Sequence, residues 1–518
     1  MANQSSGARI ARAAGIVMVA TVFARLLGLA RQMIVGQLYG TTIEMDAFAA
    51  ANVVTETLYL VVAGGALASA FIPVFTGLLT RGDRRGAWRL ASQIANLIFV
   101  AVLLLSGLTA LLANPIIESL LAPDMAPAGQ ALTAQLLRIM LLATVTFSVS
   151  GLLMGVLNAQ QHFLLPALAP ILYNLGIIAG AVFLSPSLGI HGVAVGVVIG
   201  AVLHLLIQLP GLRGRGFQYV GGLGLDNPAV RQVARLMGPR VLGLAVTRVN
   251  FWVNTNLASA FGEGAVSALD YAMRVMLLPL GVVAQAVGIA AFPTFSELVA
   301  QGDLAGVRRT LASTLRSVVY LALPASVGLV ILRIPIVQLL FQRGEFTAES
   351  TASVAWALAF YGIGLAGHAG LEIIVRAFYA LHDTKTPVVV GGGAMALNIG
   401  LSISLSRVFL SVGWMPHGGL ALANSIATLI EASWLLWLLR GRLEGVEGRW
   451  LLNGFLKSGA ATVGMAGVIW GWLLILPEGP ALWSGGVGIV LGAAAYLAFA
   501  ALLRVEELRS VRRVFQRG

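Results

Sequence analysis

The chain has no cysteine, which excludes disulfides, thiolate nucleophiles and Cys-ligated metals. It is also poor in charge. Charged residues make up 10% of it and hydrophobic residues 58%, whereas a soluble domain carries roughly 25% charged residues. So few charges cannot solvate a surface of 518 residues, so most of that surface faces lipid. Acidic residues are the scarcer kind, 21 against 33 Lys and Arg, for a net charge of +12. In a soluble protein that excess would point to nucleic acid. Here the arginines fall mainly in short loops between apolar runs, which reports membrane orientation and gives no reason to expect a nucleic-acid partner. Histidines are few. His191 and His417 hold equivalent loop positions, each followed by glycine; His162 and His382 sit in short loops; His204 and His368 stand singly in apolar helices. None has metal-ligand spacing with a carboxylate, so neither a metal, a cofactor nor a catalytic set is expected. Gly391-Gly392-Gly393 suits close helix packing or a hinge better than a phosphate loop.

What is present is a repeat. Ala70-Phe71-Ile72-Pro73-Val74-Phe75, leading to Gly82-Asp83, is echoed by Ala291-Phe292-Pro293-Thr294-Phe295, leading to Gly302-Asp303. Asn114-Pro115-Ile116-Ile117 answers Ile334-Pro335-Ile336-Val337, and His191-Gly192 answers His417-Gly418. An apolar chain that repeats at half-length is the pattern of a two-lobed transporter.

A span needs about 20 mostly apolar residues. Fourteen segments qualify: 10–38, 47–79, 87–113, 131–157, 165–185, 190–210, 230–260, 266–298, 308–332, 350–380, 387–410, 417–440, 452–476 and 481–505. The expected fold is therefore an all-α polytopic membrane protein with two pseudo-symmetric six-helix lobes around a central cavity, plus two extra C-terminal helices. The divisions are 1–212 for the first lobe, 213–229 for a glycine-rich linker, 230–440 for the second lobe, 450–507 for helices 13 and 14, and 508–518 for a basic tail. Arg9 and Arg12 precede an apolar run with no clear cleavage site, which reads as an uncleaved first helix. Alternate loops are basic (Arg81 to Arg89, Arg213 and Arg215, Arg308 and Arg309, Lys385, Arg440 to Arg449), which places both termini in the cytoplasm. Six spans per lobe is an even number, so the lobes share one orientation, related by an axis along the membrane normal.

Charges inside spans mark the candidate site, because an Arg at a helix centre costs roughly 2.5–3.5 kcal/mol on insertion scales. Helix 1 carries Arg25 and Arg31 about Gly28; six positions apart, they point about 120° from one another, and a bend at Gly28 would turn both to one cavity. Helix 8 carries Asp270 and Arg274 on one face, either as a self-neutralised pair or with Arg274 turned to the cavity. Arg248 in helix 7 is a further candidate. Asp46 and Glu56 in helix 2 are candidate partners for the helix 1 arginines, Glu372 and Arg376 form a second i,i+4 pair, and Glu431 lies deep in helix 12. Arginine predominates in helices 1, 7 and 8, and a planar fork of fixed charge suits phosphate or diphosphate.

Four stretches resemble the MurJ (MviN-type) lipid II flippases, of the superfamily that also holds MATE exporters and polysaccharide flippases. They are Ala24-Arg25-Leu26-Leu27-Gly28-Leu29-Ala30-Arg31 with Asp46-Ala47-Phe48, Gly65 to Pro73, Asp270-Tyr271-Ala272-Met273-Arg274, and Phe378 to Pro387. The resemblance implies functional weight for Arg25, Arg31, Asp46 and Arg274, and a groove for a polyprenyl tail built by helices 13 and 14. It implies an undecaprenyl-diphosphate-linked saccharide peptide as substrate, surrounding membrane lipids and the cell-wall synthesis machinery as partners, and a bacterial cytoplasmic membrane as location. It implies alternating access drawn by the membrane potential or a coupled ion. The chain departs from the family in Tyr59 to Ala66, which lacks the arginine and glutamate common there, and in neutral residues about Asn250, Asn398 and Ser402, where some members hold sodium. Rival readings are an exopolysaccharide-lipid flippase, a MATE-like exporter, a membrane glycosyltransferase and a scaffold that does not transport.

Overall fold

In hydrocarbon each backbone amide must find its partner within its own segment, so spanning segments are helices. The computed structural model describes residues 2–63, 65–475 and 480–508, and their side chains except at 2–16, 62, 63, 65–69, 239, 240, 242–247, 282 and 286. The side chains of Arg9 and Arg12 and the tail after Leu508 lie outside the described residues. Among the described residues there is no strand.

Two compact units form, Met1–Glu263 and Gly264–Gly518. The first holds α1 (Ala2–Tyr39), α2 (Ile43–Ala63), α3 (Gly65–Thr80), α4 (Arg84–Leu111), α5 (Ala113–Ile116), α6 (Pro127–Ala159), α7 (Leu164–Ala179), α8 (Ser185–Leu188), α9 (Ile190–Leu206) and α10 (Pro228–Ser259). The second holds α11 (Ala265–Leu280), α12 (Ala286–Ala300), α13 (Leu304–Ile331), α14 (Arg333–Phe341), α15 (Ala348–Ala380), α16 (Lys385–Ser411), α17 (His417–Arg442), α18 (Gly448–Ile475) and α19 (Gly488–Leu502). Twelve helices among the described residues are long and apolar enough to cross a membrane. The other two of the fourteen segments are α2–α3 and α10. The repeat assigns α10 to the second lobe, but it packs against α2 and α3 in the first unit.

The repeat is visible in backbone detail. Asp83 caps α4 by accepting from Gly86 N at 2.7 Å, and Asp303 caps α13 by accepting from Gly306 N at 2.7 Å. Both helices run 28 residues and end on a leucine in nearly the same conformation, Leu112 (φ −92, ψ 13) and Leu332 (φ −90, ψ 14), before a short helix. Phe75 and Phe295 are fully buried, each in its own unit's core. Small residues let helices touch where lipid supplies no hydrophobic drive. A Cβ on Gly176 of α7 would fall 2.3 Å from Gly200 Cα of α9, and one on Gly180 2.5 Å from Gly196 Cα. Large apolar side chains such as Phe183, Val389 and Val463 stand exposed on the outside of the units, as a lipid-facing surface requires.

The linker after α9 lies along α4. Trp88 Nε1 donates to Arg215 O (3.3 Å), Asn96 Nδ2 to Gly222 O (2.9 Å) and Asn227 Nδ2 to Gln93 Oε1 (2.7 Å), while Phe217 meets the Trp88 ring edge-on at 5.2 Å.

Candidate substrate site

In the first unit, α1 is helical without interruption across Gly28. The glycine faces Asn174 of α7, whose Nδ2 donates to Ala24 O (3.3 Å) and Pro170 O (2.9 Å). Gly28 is thus a point where α1 packs on α7. Arg25 is exposed and Arg31 half-buried, as their angular separation around the helix dictates. Asp46 is buried, 3% exposed, in the first turn of α2.

Glu56 does not answer the helix 1 arginines. Its Oε1 accepts from Asn52 Nδ2 at 2.8 Å and its Oε2 pairs with Arg248 Nη1 at 3.4 Å, joining α2 to α10. The Arg248 guanidinium also lies 4.9 Å from the Phe251 ring centre. One turn on, Trp252 Nε1 donates to Thr57 Oγ1 at 2.9 Å. Glu263 Oε1 accepts from Ile43 N at 2.8 Å, satisfying an amide at the start of α2 from a residue 220 positions away. Sequence reasoning missed this cap, since nothing local marks it.

In the second unit, Arg274 Nε donates to Asp270 Oδ2 at 2.7 Å, and both side chains are about one-third exposed. This is the i,i+4 pair that the spacing suggested. Pairing lowers the cost of holding the arginine in the span. Glu372 and Arg376 pair likewise at 2.7 Å, and the Arg376 guanidinium rests against Gly288 of α12, where a Cβ would fall 2.4 Å from Nη1. The lone histidines are held as structural groups. His204 Nδ1 lies 2.7 Å from Ser150 Oγ, and His368 Nε2 lies 3.1 Å from Asn424 Oδ1. Glu431 lies against Gly391 on α16.

The second unit also contains an apolar groove of about 520 Å³. Its walls are the α11 end at Val275 to Pro279, α13 from Tyr320 to Leu332, α14, and Met465, Ile469, Gly492 and Tyr496 of α18 and α19. The thirteenth and fourteenth helices, which have no counterpart in the repeat, thus form one side of this apolar groove.

Two units of membrane-length helices with repeated backbone detail, arginines set into spans and an apolar groove define a polytopic membrane protein of the transporter class. The fold is shared with an inward-facing multidrug resistance MATE family transporter, with TM-score 0.69 and 16% identity over 82% of this chain and 96% of that one. It is shared more fully with a lipid II flippase MurJ in an inward closed conformation, with TM-score 0.79 and 26% identity over 94% of this chain and 98% of that one. The family model "Lipid II flippase MurJ" matches residues 35–481. The lipid II flippase MurJ of Burkholderia cenocepacia is 32% identical over 430 residues, 82% of each chain. The probable lipid II flippase MurJ of Bdellovibrio bacteriovorus is 30% identical over 532 aligned positions, covering the whole of both. The chain belongs to the lipid II flippase MurJ family, a family of transporters and not of enzymes.

Proposed function

We propose that this protein moves lipid II, the undecaprenyl-diphosphate-linked peptidoglycan precursor, from the inner to the outer leaflet of the bacterial cytoplasmic membrane by alternating access. Family membership supplies the substrate class. The observation that carries the reading to this chain is the 520 Å³ apolar groove, whose wall includes the two helices that the repeat leaves over. The prenyl tail occupies that groove and stays within the bilayer. Arg25, Arg31 and Arg274 are the cations that take the diphosphate, with Asp46, Glu56, Arg248 and Asp270 setting their positions or gating, and Gly28 seating α1 on α7. Asp270 holds the Arg274 fork in place, so the arginine meets the phosphate without losing side-chain entropy at that moment.

Both termini lie in the cytoplasm, and the membrane potential assists the cycle. Carrying negative charge outward from a negative interior gains about 2.3 kcal/mol per charge per 100 mV. The cell-wall synthesis machinery receives the product. The test is reconstitution into vesicles with fluorescent lipid II and an impermeant quencher. Arg25→Ala, Arg31→Ala and Arg274→Ala should insert normally and lose flipping; full activity in all three sinks the reading.

A further inference from the structure

The groove is fastened differently at its two ends. At one end the turn Leu482–Val487 leading into α19 touches α14 and α13 directly. A Cβ on Gly485 would fall 3.0 Å from Pro335 O, and one on Gly488 3.0 Å from a Leu332 methyl. That end is closed by backbone. Along its length α19 packs chiefly on α18 and hardly on α13, which is what leaves the groove open. At the other end the two walls are bridged by polar groups. Tyr496 OH donates to Tyr320 O at 2.6 Å, and one turn before Tyr320 the Arg316 guanidinium reaches the segment after α19.

Arg316 is 2% exposed. Its Nε donates to Glu507 Oε1, its Nη1 lies 3.2 Å from Glu506 Oε2, and its guanidinium carbon lies 4.0 Å from the centre of the Trp450 ring on α18. Trp450 Nε1 in turn donates to Glu506 Oε2 at 3.2 Å. Gly454 makes room for the guanidinium; a Cβ there would fall 2.5 Å from Arg316 Nε. A buried ion pair is weak evidence of stabilisation in itself, because desolvation offsets its attraction, but it fixes geometry strictly. Here it fixes the far end of a helix that has little else to hold it against α13.

We propose that Arg316 and Glu507 are positioning residues that set the width of this end of the groove, and so determine how far along it a long prenyl chain is held. The inference rests on the reading of the groove as the tail site. Absence of cysteine allows spin labels to be placed singly. One pair goes at Leu321→Cys and Leu497→Cys near the latch, another at Leu340→Cys and Ile489→Cys near the backbone-closed end. Glu507→Gln should lengthen or broaden the first distance distribution and leave the second unchanged. It should weaken binding of undecaprenyl diphosphate by roughly tenfold, while geranyl diphosphate, whose two isoprene units fill little of the groove, should lose less. Glu507→Asp, which keeps a carboxylate for Arg316, should hold both readouts nearer those of the unmodified protein; it also serves if Glu507→Gln does not fold. If both label pairs move together, or both ligands weaken equally, the pair is merely structural and the proposal falls. If the unmodified protein prefers the long chain and Glu507→Gln keeps that preference with both distances unchanged, the latch alone is wrong. If the unmodified protein shows no preference for the long chain, the tail reading of the groove fails and the latch proposal with it.

Discussion

Gly328→Leu should make the protein more stable and a poorer flippase. Gly328 lines the groove from within α13, and a Cβ added there meets nothing within 4 Å. The leucine side chain therefore enters open groove without displacing protein. Replacing a helical glycine gains up to about 1 kcal/mol of helix propensity. The four added carbons fill nearly the room of one isoprene unit. Counted as transfer from water at about 0.8 kcal/mol per CH₂, loss of that unit's site costs about 3 kcal/mol. That sum uses the wrong reference, because the displaced unit returns to acyl chains as apolar as the groove. What is lost is packing. About ten heavy-atom contacts at 0.1–0.2 kcal/mol each come to about 1–2 kcal/mol, or a roughly five- to thirtyfold loss of affinity for the long-tailed lipid. Thermal unfolding in detergent and the vesicle quenching assay measure the two effects. Opposite signs are expected. A variant that is more stable and flips at the original rate would show that the tail does not lie against α13.

Two further outcomes follow from other parts of the fold. Burial would raise the Asp383 carboxyl, but hydrogen bonds from Thr386 Oγ1 and N, the Arg442 charge and a bond from Lys385 N outweigh it and hold it below the ordinary range. A carboxyl lowered in the folded state contributes stability that is complete above its unfolded value, about 4, and is lost as pH falls through that value toward the folded one. Asp383→Asn should thus melt lower at neutral pH, with the gap to the unmodified protein closing below about pH 4; a gap that stays constant on acidification contradicts the assignment. Gly176→Ala should force α7 off α9 and cost about 1–3 kcal/mol, as overpacking does. A melting temperature equal to that of the unmodified protein would mean the two backbones do not touch as described.

Much of the architecture could be read in the chain. The repeated Gly-Asp at 82–83 and 302–303 announced two equivalent helix starts, and both aspartates cap their helices at the same distance. The spacing of Asp270 and Arg274 announced their pairing. The residues of helices 13 and 14 pointed to a groove only through the family resemblance; its walls come from five separate helices. Gly28 stood out by its place between two arginines, but its packing on Asn174, 146 positions on, is visible only in the fold. The Arg316 guanidinium lies over the Trp450 ring, 134 positions away, a contact that nothing local announced.

By itself, the sequence determined which segments are helices, where they start and that they come in two sets. Those are local matters: an amide in lipid bonds within its own turn, and hydropathy and caps are written in consecutive residues. Only the tertiary structure decided that Glu56 meets Arg248, 192 positions away, and that Arg316 meets Glu507, 191 away. Helix faces surrounded by lipid are apolar all round, so no stripe of hydrophobicity says which face turns to which neighbour. Close packing and the pairing of a few costly charges settle it, and these exist only once the helices are side by side.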